Sequence, residues 1–322
     1  MIKKTISIVI PCFNEENNIE KTFIDLKKVF NKYHNYNFEY IFVDDGSIDN
    51  TFQKIKIFSL NDKSVKCVKL SRNFGSHISI TAGFEHAIYS DAAILITADL
   101  QEPPEIITKL IESWEKGIEI VWTVRKYRNQ KFINKVFSKI FYSLFVKYSI
   151  LKNYPKEGSS AFWLLDKKII SNLKKFKESN RMLNGLISWM GYKQDIIYYN
   201  QRKRKHGISS FNIFSLIKLA IDSFVSFSSF PIRLITYIGI ALSLFSFLYS
   251  IILILEKFLY GIDVPGYTSL MVIVLILGGV QLLTLGILGE YIWRGVDESR
   301  KRPLYLVTEL LNFDKDEDQK NL

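Results

Sequence analysis

The sequence predicts an α/β domain built on a mostly parallel sheet, followed by interface helices and a two-helix transmembrane hairpin. Three observations predict it. Short β-rich apolar runs alternate with longer amphipathic stretches up to about residue 200, and two long uncharged apolar segments follow. Lys and Arg crowd the outer flanks of those segments and are sparse between them.

The alternation can be read in order. Ile6–Ile10 is followed by a helical pattern from Asn17 to Tyr33, and Tyr40–Val43 precedes Asn50–Leu60. Val65–Leu70 precedes His77–Tyr89, Ala93–Thr97 precedes Pro104–Lys116, and Ile118–Val124 is a further strand. Such an order predicts βαβ units with helices on both faces of the sheet. In sheets of this kind ligands bind beyond the carboxyl ends of the strands. The polar clusters fall there: Asn14-Glu15-Glu16 after strand one, Asp44-Asp45-Gly46-Ser47 after strand two, Asp99-Leu100-Gln101 after strand four. Carboxylates converging at strand ends are costly unless a cation or hydrogen-bond donors compensate them. Oxygen donors of this kind select Mg²⁺ or Mn²⁺, usually bridged to substrate phosphates. The chain has no G-x-x-x-x-G-K-[ST] loop, and no G-x-G-x-x-G follows the first strand, so ATPase and classical dinucleotide readings are weak.

Leu234–Leu255 and Ser269–Gly289 carry no formal charge, and each has about the 20 residues a helix needs to cross the hydrocarbon core. The loop between them, Glu256 to Thr268, holds Lys257 as its one basic residue. Arg202, Lys203, Arg204, Lys205, Lys218 and Arg233 precede the pair, and Arg294, Arg300, Lys301 and Arg302 follow it. Both termini are therefore expected on the cytoplasmic side of an inner membrane. Phe211 to Phe230 is too polar to span and is bounded by Pro231; it reads as helices lying in the interface, with an ordinary packing helix of the soluble domain as the alternative. The expected organisation is a cytoplasmic domain over 1–210, interface helices over 211–232, the hairpin over 233–293 and a cytoplasmic tail over 294–322, its end charged and frayed.

Composition narrows the class further. With 48% hydrophobic and 23% charged residues the chain is neither disordered nor low-complexity. Two cysteines cannot make a disulfide framework, and Cys12 reads as packing. The net charge of +11 suits nucleic acid, anionic lipid or a phosphorylated substrate. Its concentration from Arg202 to His206, beside the apolar segments, points to phosphate and lipid rather than nucleic acid.

Several stretches are specific. They are I-V-I-P-C-F-N-E-E (Ile8–Glu16), F-V-D-D-G-S-I-D (Phe42–Asp49), L-S-R-N-F-G (Leu70–Gly75) and A-D-L-Q-E-P-P-E (Ala98–Glu105). They continue with H-G-I-S-S-F (His206–Phe211), F-P-I-R-L (Phe230–Leu234), the long run Gly278–Arg294, and R-P-L-Y (Arg302–Tyr305). Across nearly its whole length the chain resembles the family 2 glycosyltransferases of the GT-A fold, and within them the polyprenyl-phosphate glycosyltransferases. The resemblance implies a nucleotide-diphosphate sugar donor, UDP-glucose first among several, a divalent metal (Mg²⁺ or Mn²⁺), a polyprenyl (undecaprenyl) phosphate acceptor and a homo-oligomer such as a tetramer. It places Pro11, Glu15 and Asp44 in the base and ribose pocket, with Asp45, Arg72 and Ala98 beside the donor, and Asp99 and Gln101 at the metal. Arg204, Ser209 and Ser210 would hold phosphates, and Arg125 and Arg128 either reach the acceptor phosphate or solvate a loop. Arg72 and Asn73 serve either the donor or a loop-fixing hydrogen bond. Arg202, Lys203 and Lys205 read equally as an anionic-lipid patch.

Two departures from the family pattern stand out. Relatives commonly carry D-x-D where this chain has Thr97-Ala98-Asp99, and G-D-F-R where it has Ser160-Ala161-Phe162-Trp163. The aspartate sometimes proposed as base is thus Ala161, leaving Glu157, Ser159 or Ser160 for part of its role. A phosphate monoester, with a second pKa of about 6, is already an anionic nucleophile near pH 7 and needs little help from a base. The chemistry implied is direct, inverting displacement at the anomeric carbon, assisted by metal at Asp99 and Gln101 and by Arg204. The competing readings are a processive polysaccharide synthase, whose Q-x-x-R-W signature is not matched by Gln201–Lys205, and a catalytically inactive membrane adaptor, supported by Thr97 and Ala161 alone.

Overall fold

The computed structural model describes residues 3–99, 102–103, 105–126, 141–151, 154–155, 160, 162–179, 181–200, 222–260 and 266–313. The elements in order are β1 (Lys4–Cys12), α1 (Ile19–Phe30), β2 (Tyr36–Asp44), α2 (Thr51–Asn61), β3 (Val65–Leu70), α3 (Ser76–Glu85), β4 (Ala92–Leu95) and α4 (Ile106–Glu115). They continue with β5 (Ile120–Arg125), β6 (Trp163–Asp166), α5 (Lys167–Leu173), α6 (Leu183–Trp189), β7 (Gln194–Tyr199), α7 (Phe230–Tyr260), α8 (Tyr267–Ser299) and β8 (Val307–Leu311).

The strands form one sheet in the order β7-β5-β6-β4-β1-β2-β3-β8. Pairs β1/β2, β1/β4, β2/β3 and β5/β7 are parallel, while β4/β6, β5/β6 and β3/β8 are antiparallel. The parallel block from β3 to β4 is the expected one. The antiparallel strands correct the simple βαβ succession: β6 inserts between β4 and β5, so β5 is not the next neighbour of β4.

Alternation along the central strands shows why they are buried on both faces. In β1, Ile6, Ile8 and Ile10 face a layer formed with Ile19, Phe23, Leu26 and Phe30 of α1, while Val9 faces the layer of α3, α5 and α6. Tyr40 and Phe42 of β2 join the first layer, Ile41 and Val43 the second. These four apolar residues and Thr22, the buried positions of α1, recur at helical spacing, so one stripe seats on the sheet and Glu20, Lys21 and Lys28 stay outside.

A third, smaller cluster joins this domain to the apolar helices. Phe145, Leu151, Tyr154, Leu186 and Phe227 pack together with Phe141 and Phe224. A Cβ on Gly185 would lie 2.5 Å from the Phe227 ring, so helical residues 222–227 sit directly on α6. The portion of the expected interface segment within the described residues is therefore seated on the soluble domain; residues 211–221 lie outside them. Pro231 stands in the first turn of α7, where a missing N–H costs nothing, so it opens the long helix as well as following the short one.

Helices α7 and α8 pack on each other and carry stretches long and apolar enough to cross a membrane, Phe230–Tyr249 and Ile276–Ser299. Their large side chains are outward and bare, with Phe247 66% and Leu282 73% exposed. Two adjacent helices with apolar surface this extensive are membrane-associated rather than water-facing. The tail then departs from expectation. After Arg302-Pro303-Leu304-Tyr305 the chain returns to the sheet, where β8 pairs antiparallel with β3. Asn312 closes the junction, its Nδ2 donating to the carbonyls of Ser59 (2.7 Å) and Val65 (2.8 Å). A short amphipathic run in a charged tail carries little strand signal by itself; the open edge of β3 supplies its partner.

Candidate active site at the carboxyl edge of the sheet

Register brings the polar clusters together. Cys12 lies beside Asp44 across β1/β2, and Val9 beside Leu95 across β1/β4, so the loops after β1, β2 and β4 leave from one edge. Asp44 ends β2 and Asp99 follows β4, and these two strands flank β1, two strand spacings or about 10 Å apart.

The first two loops are bound to each other by side chain to backbone hydrogen bonds. The Asn14 amide donates to Ser47 Oγ (3.0 Å), the Ile48 amide to Asn14 Oδ1 (3.0 Å), and the Glu15 amide to Thr51 Oγ1 (2.8 Å). Glu15 Oε2 accepts from Asn18 Nδ2 at 2.6 Å. Pro11, near the end of β1, is half-buried beside Val43. The third loop joins through Asp45, whose carboxylate accepts from the amides of Phe74 (2.8 Å) and Gly75 (3.0 Å). Gly46, at φ +71°, lies so close to the backbone of Arg72 that a Cβ there would be 2.4 Å from the Arg72 carbonyl carbon. Arg72 is exposed, its guanidinium 4.0 Å from the Phe74 ring centre, and its Nη1 donates to the Asn73 carbonyl at 2.9 Å.

Asp44 and Asp45 differ in what their oxygens do. Both are buried, and burial pushes both carboxyls up from the ordinary aspartate value, against the stabilising donors of Ser47 for Asp44 and of Phe74 and Gly75 for Asp45. Asp45 spends both oxygens on loop amides. Asp44 uses Oδ1 for the Ser47 amide (3.1 Å), while its buried Oδ2 has no hydrogen-bond partner. A buried acceptor of this kind calls for a donor from outside the protein. The Cys12 thiol beside it is held well above its ordinary pKa, by burial and then by Asp44, which fits the packing role.

The β4 side is a separate polar cluster. Ala98 is buried and its carbonyl accepts from Thr22 Oγ1 (2.5 Å), pinning the turn to α1. Thr97 Oγ1 donates to Asp99 Oδ1 at 2.8 Å and also meets Glu102 Oε2. Glu102, 1% exposed, accepts at Oε1 from Arg125 Nη2 (3.4 Å) and Tyr199 OH (3.3 Å), and Arg125 Nε donates to Tyr199 OH at 3.1 Å. Burial raises the Glu102 carboxyl, opposed by Thr97 and Arg125. Ser160 is buried behind this cluster; its amide donates to the Thr123 carbonyl (2.9 Å) and its hydroxyl meets that of Thr123.

The structure thus gathers Pro11, Glu15, Asp44, Asp45 and Arg72 along one wall, and Ala98, Asp99, Arg125 and Ser160 along the other. Gln101, Arg128, Glu157, Arg204, Ser209 and Ser210 lie outside the described residues. Glu102 and Tyr199 belong to the site and were not singled out from the sequence. Glu102 sits within A-D-L-Q-E-P-P-E, where a carboxylate three residues after Asp99 was its only signal; Tyr199 ends β7, a strand the pattern did not reveal. Among the described residues no three His, Cys, Asp or Glu side chains converge into a complete metal cage. The partly exposed oxygen donor of Asp99 suits a hard divalent ion completed by substrate phosphates, the usual manner for Mg²⁺.

The comparisons with known proteins agree with this architecture. The glycosyl transferase family 2 model matches residues 7–173, and the model of the GtrB C-terminal hairpin matches residues 230–294. An uncharacterized glycosyltransferase of Synechocystis is 40% identical over 95% of both chains. The putative glycosyltransferase CsbB of Bacillus subtilis is 39% identical over 94% of this chain and 91% of its own. The bactoprenol glucosyl transferase of Shigella phage SfV is 39% identical over 94% of this chain and 97% of its own. With the mixed GT-A sheet, the carboxylates at its edge and the apolar hairpin, these matches make the chain a member of glycosyl transferase family 2, a membrane-associated glycosyltransferase.

Proposed function

We propose that this protein transfers glucose from UDP-glucose to a polyprenyl phosphate, undecaprenyl phosphate in the first instance, at the cytoplasmic face of the inner membrane, with inversion and with Mg²⁺ or Mn²⁺. The observation that carries the reading is the placement of the site. The domain whose sheet edge bears Asp44 and Asp99 is tied to α7 through residues 222–227, which pack on α6, and to α8 through β8, which pairs with β3. A donor pocket in a domain so tethered stays close to the bilayer surface, where a lipid phosphate acceptor would lie. The phage relative, named a bactoprenol glucosyl transferase, supports a polyprenol acceptor and glucose.

The residues divide the work. The free Oδ2 of Asp44 accepts from the donor's base or ribose, in a pocket whose shape is kept by Asp45 and Gly46. Asp99, with Gln101, would hold the ion, which supplies neutralisation of the diphosphate as negative charge builds on it. Arg125, with Arg128, Arg204, Ser209 and Ser210, would hold the acceptor phosphate. One phosphate oxygen forms a bond to the anomeric carbon, the bond from that carbon to the diphosphate breaks, and UDP leaves with the electron pair. Ser160 and Glu157 would shape the acceptor side, since a phosphate nucleophile arrives ionised. Tetramer or other oligomer formation would proceed through the exposed faces of α7 and α8.

The test is transfer in detergent micelles containing undecaprenyl phosphate and Mn²⁺ or Mg²⁺, with a panel of radiolabelled UDP- and GDP-sugars. One sugar should move to the lipid, and Asp99→Ala or EDTA should abolish the transfer. No transfer from any donor, with nucleotide binding intact, would overturn the acceptor assignment.

A further inference from the structure

We propose that Glu102 is a positioning residue that keeps the metal side and the acceptor side of the site in register, through Thr97 to Asp99 and through Arg125. The inference rests on the function proposed above, which gives Asp99 and Arg125 their substrates. Asp99 follows β4 and Arg125 ends β5, and β6 lies between those two strands. Neither ladder therefore joins the two residues directly. Glu102 spans the gap from beneath: one oxygen meets the Thr97 hydroxyl, and the other accepts from Arg125 Nη2 at 3.4 Å and Tyr199 OH at 3.3 Å. At 1% exposure it has no solvent to exchange these partners for.

Thr97 is the coupling element on the metal side. Its hydroxyl carries one hydrogen and stands between two carboxyl groups, with Asp99 Oδ1 at 2.8 Å. An Asp99 rotamer that left Thr97 would also leave the hydroxyl's second partner unbalanced. Thr97 is a short neutral side chain backed by the buried Glu102 carboxyl, so Asp99 is held from behind. On the other side, Arg125 is gripped by Glu102 and Tyr199 together, with Nε to Tyr199 OH at 3.1 Å. This fixes the guanidinium plane and, among the described residues, leaves Nη1 without a hydrogen-bond partner.

The full-length protein in detergent is tested by two readouts: the affinity for Mn²⁺ with UDP, by electron paramagnetic resonance, and the separate KM values for donor and acceptor. Thr97→Val should weaken Mn²⁺·UDP binding by about tenfold, the loss expected for one hydrogen bond to a charged group, and leave the acceptor KM within about twofold. Glu102→Leu should weaken both sides. Glu102→Gln should restore most of each loss, since a carboxamide can accept from Arg125 and Tyr199 and donate to Thr97. A Glu102→Leu variant that melts lower yet keeps both KM values and the Mn²⁺·UDP affinity would show a purely structural residue and overturn the proposal. Should that variant not fold, unchanged Mn²⁺·UDP affinity in Thr97→Val overturns it instead. Wild-type protein that binds Mn²⁺·UDP but glycosylates no polyprenyl phosphate would refute the acceptor reading, and Thr97→Val would still decide the metal side.

Discussion

Gly46→Ala offers a direct test of whether the loops after β2 and β3 form one wall of a nucleotide pocket. Gly46 has φ +71°, where a side chain costs about 1–2 kcal/mol. An added Cβ would lie 2.4 Å from the carbonyl carbon of Arg72, 2.7 Å from its Cα and 2.7 Å from the Asn73 nitrogen. Carbon contacts settle near 3.5–4.0 Å, so the backbone of residues 72–73 must retreat by roughly 1 Å, at a further cost of about 1–3 kcal/mol. The total is about 2–5 kcal/mol, or a fall in Tm of roughly 5–15 °C for a domain of this size. The retreat also drags Phe74 and Gly75 from the Asp45 carboxylate, so UDP affinity should drop at least tenfold. Gly75→Ala gives a comparison without a clash: at φ +93° and ψ 159° it carries its own, glycine-specific conformational cost, but nothing lies within 4 Å of the new Cβ. Thermal melts and equilibrium UDP binding on the three proteins settle the matter. Gly46→Ala that melts with wild type and keeps wild-type UDP affinity would refute both the packing argument and the wall.

Other consequences are separately checkable. Burial raises the Asp44 carboxyl, so the folded protein holds that proton more tightly than the unfolded chain, and the ionised group costs stability above the raised value. Asp44→Asn should therefore melt above wild type near neutral pH, the gain shrinking as pH falls through the raised pKa and closing below the unfolded value of 3.8, while donor affinity drops because an N–H replaces the free acceptor. A variant that is less stable at pH 7 would contradict this. Arg294 bonds Asp222 (2.6 Å), Glu290 (3.1 Å) and Ser226 (2.9 Å), joining α8 to the residues that seat on the soluble domain. Arg294→Gln should lower the melting temperature in nanodiscs and loosen proteolytic protection around residues 222–227, an effect of about 2–4 kcal/mol for a half-buried charged pair left open. Unchanged protection would show that the aromatic cluster alone holds the junction.

The parts legible in the sequence are those whose signal is local. Strands β1 to β4 announce themselves because burial favours short apolar, β-branched runs, broken in β3 only by Lys66 and Lys69, and the polar residues that follow those runs make the candidate site. The hairpin is legible because two stretches of about 20 residues lack any charge. What escapes is set by partners distant in sequence. Strand β6, Trp163–Asp166, is four residues long and takes its direction from β4 and β5 together. Strand β8, Val-Thr-Glu-Leu-Leu, has no meaning without the open edge of β3 some 240 residues earlier, as the Lys69–Glu309 ion pair at 3.1 Å shows. Glu102 was hidden for a different reason: its role depends on Arg125 and Tyr199, which approach only because β5 and β7 are neighbours. Asp45 illustrates the converse. Its position in Asp-Asp-Gly reads as a ligand, and only the geometry shows both its oxygens holding the next loop.

The tail strand constrains membrane topology independently of charge counting. Because β8 and β3 share hydrogen bonds, the chain before α7 and the chain after α8 must lie on one side of any bilayer that the two helices cross. An even number of crossings is then obligatory, and the segment joining the helices lies on the opposite face. Lys and Arg counts predict a cytoplasmic side for the sheet, and the two arguments can be tested together. Both native cysteines are buried, so a single introduced cysteine reports without a cysteine-free background. Gly266→Cys, in the turn preceding α8, should react with a membrane-impermeant maleimide in intact cells. Leu60→Cys, 73% exposed on α2, should react only after the membrane is opened. Labelling of both from the same side would mean that the helices lie along the surface instead of crossing. The reverse pattern would keep the hairpin and turn the catalytic sheet outward, against the basic flanks, and UDP-sugar supply would then have to come from outside the cell.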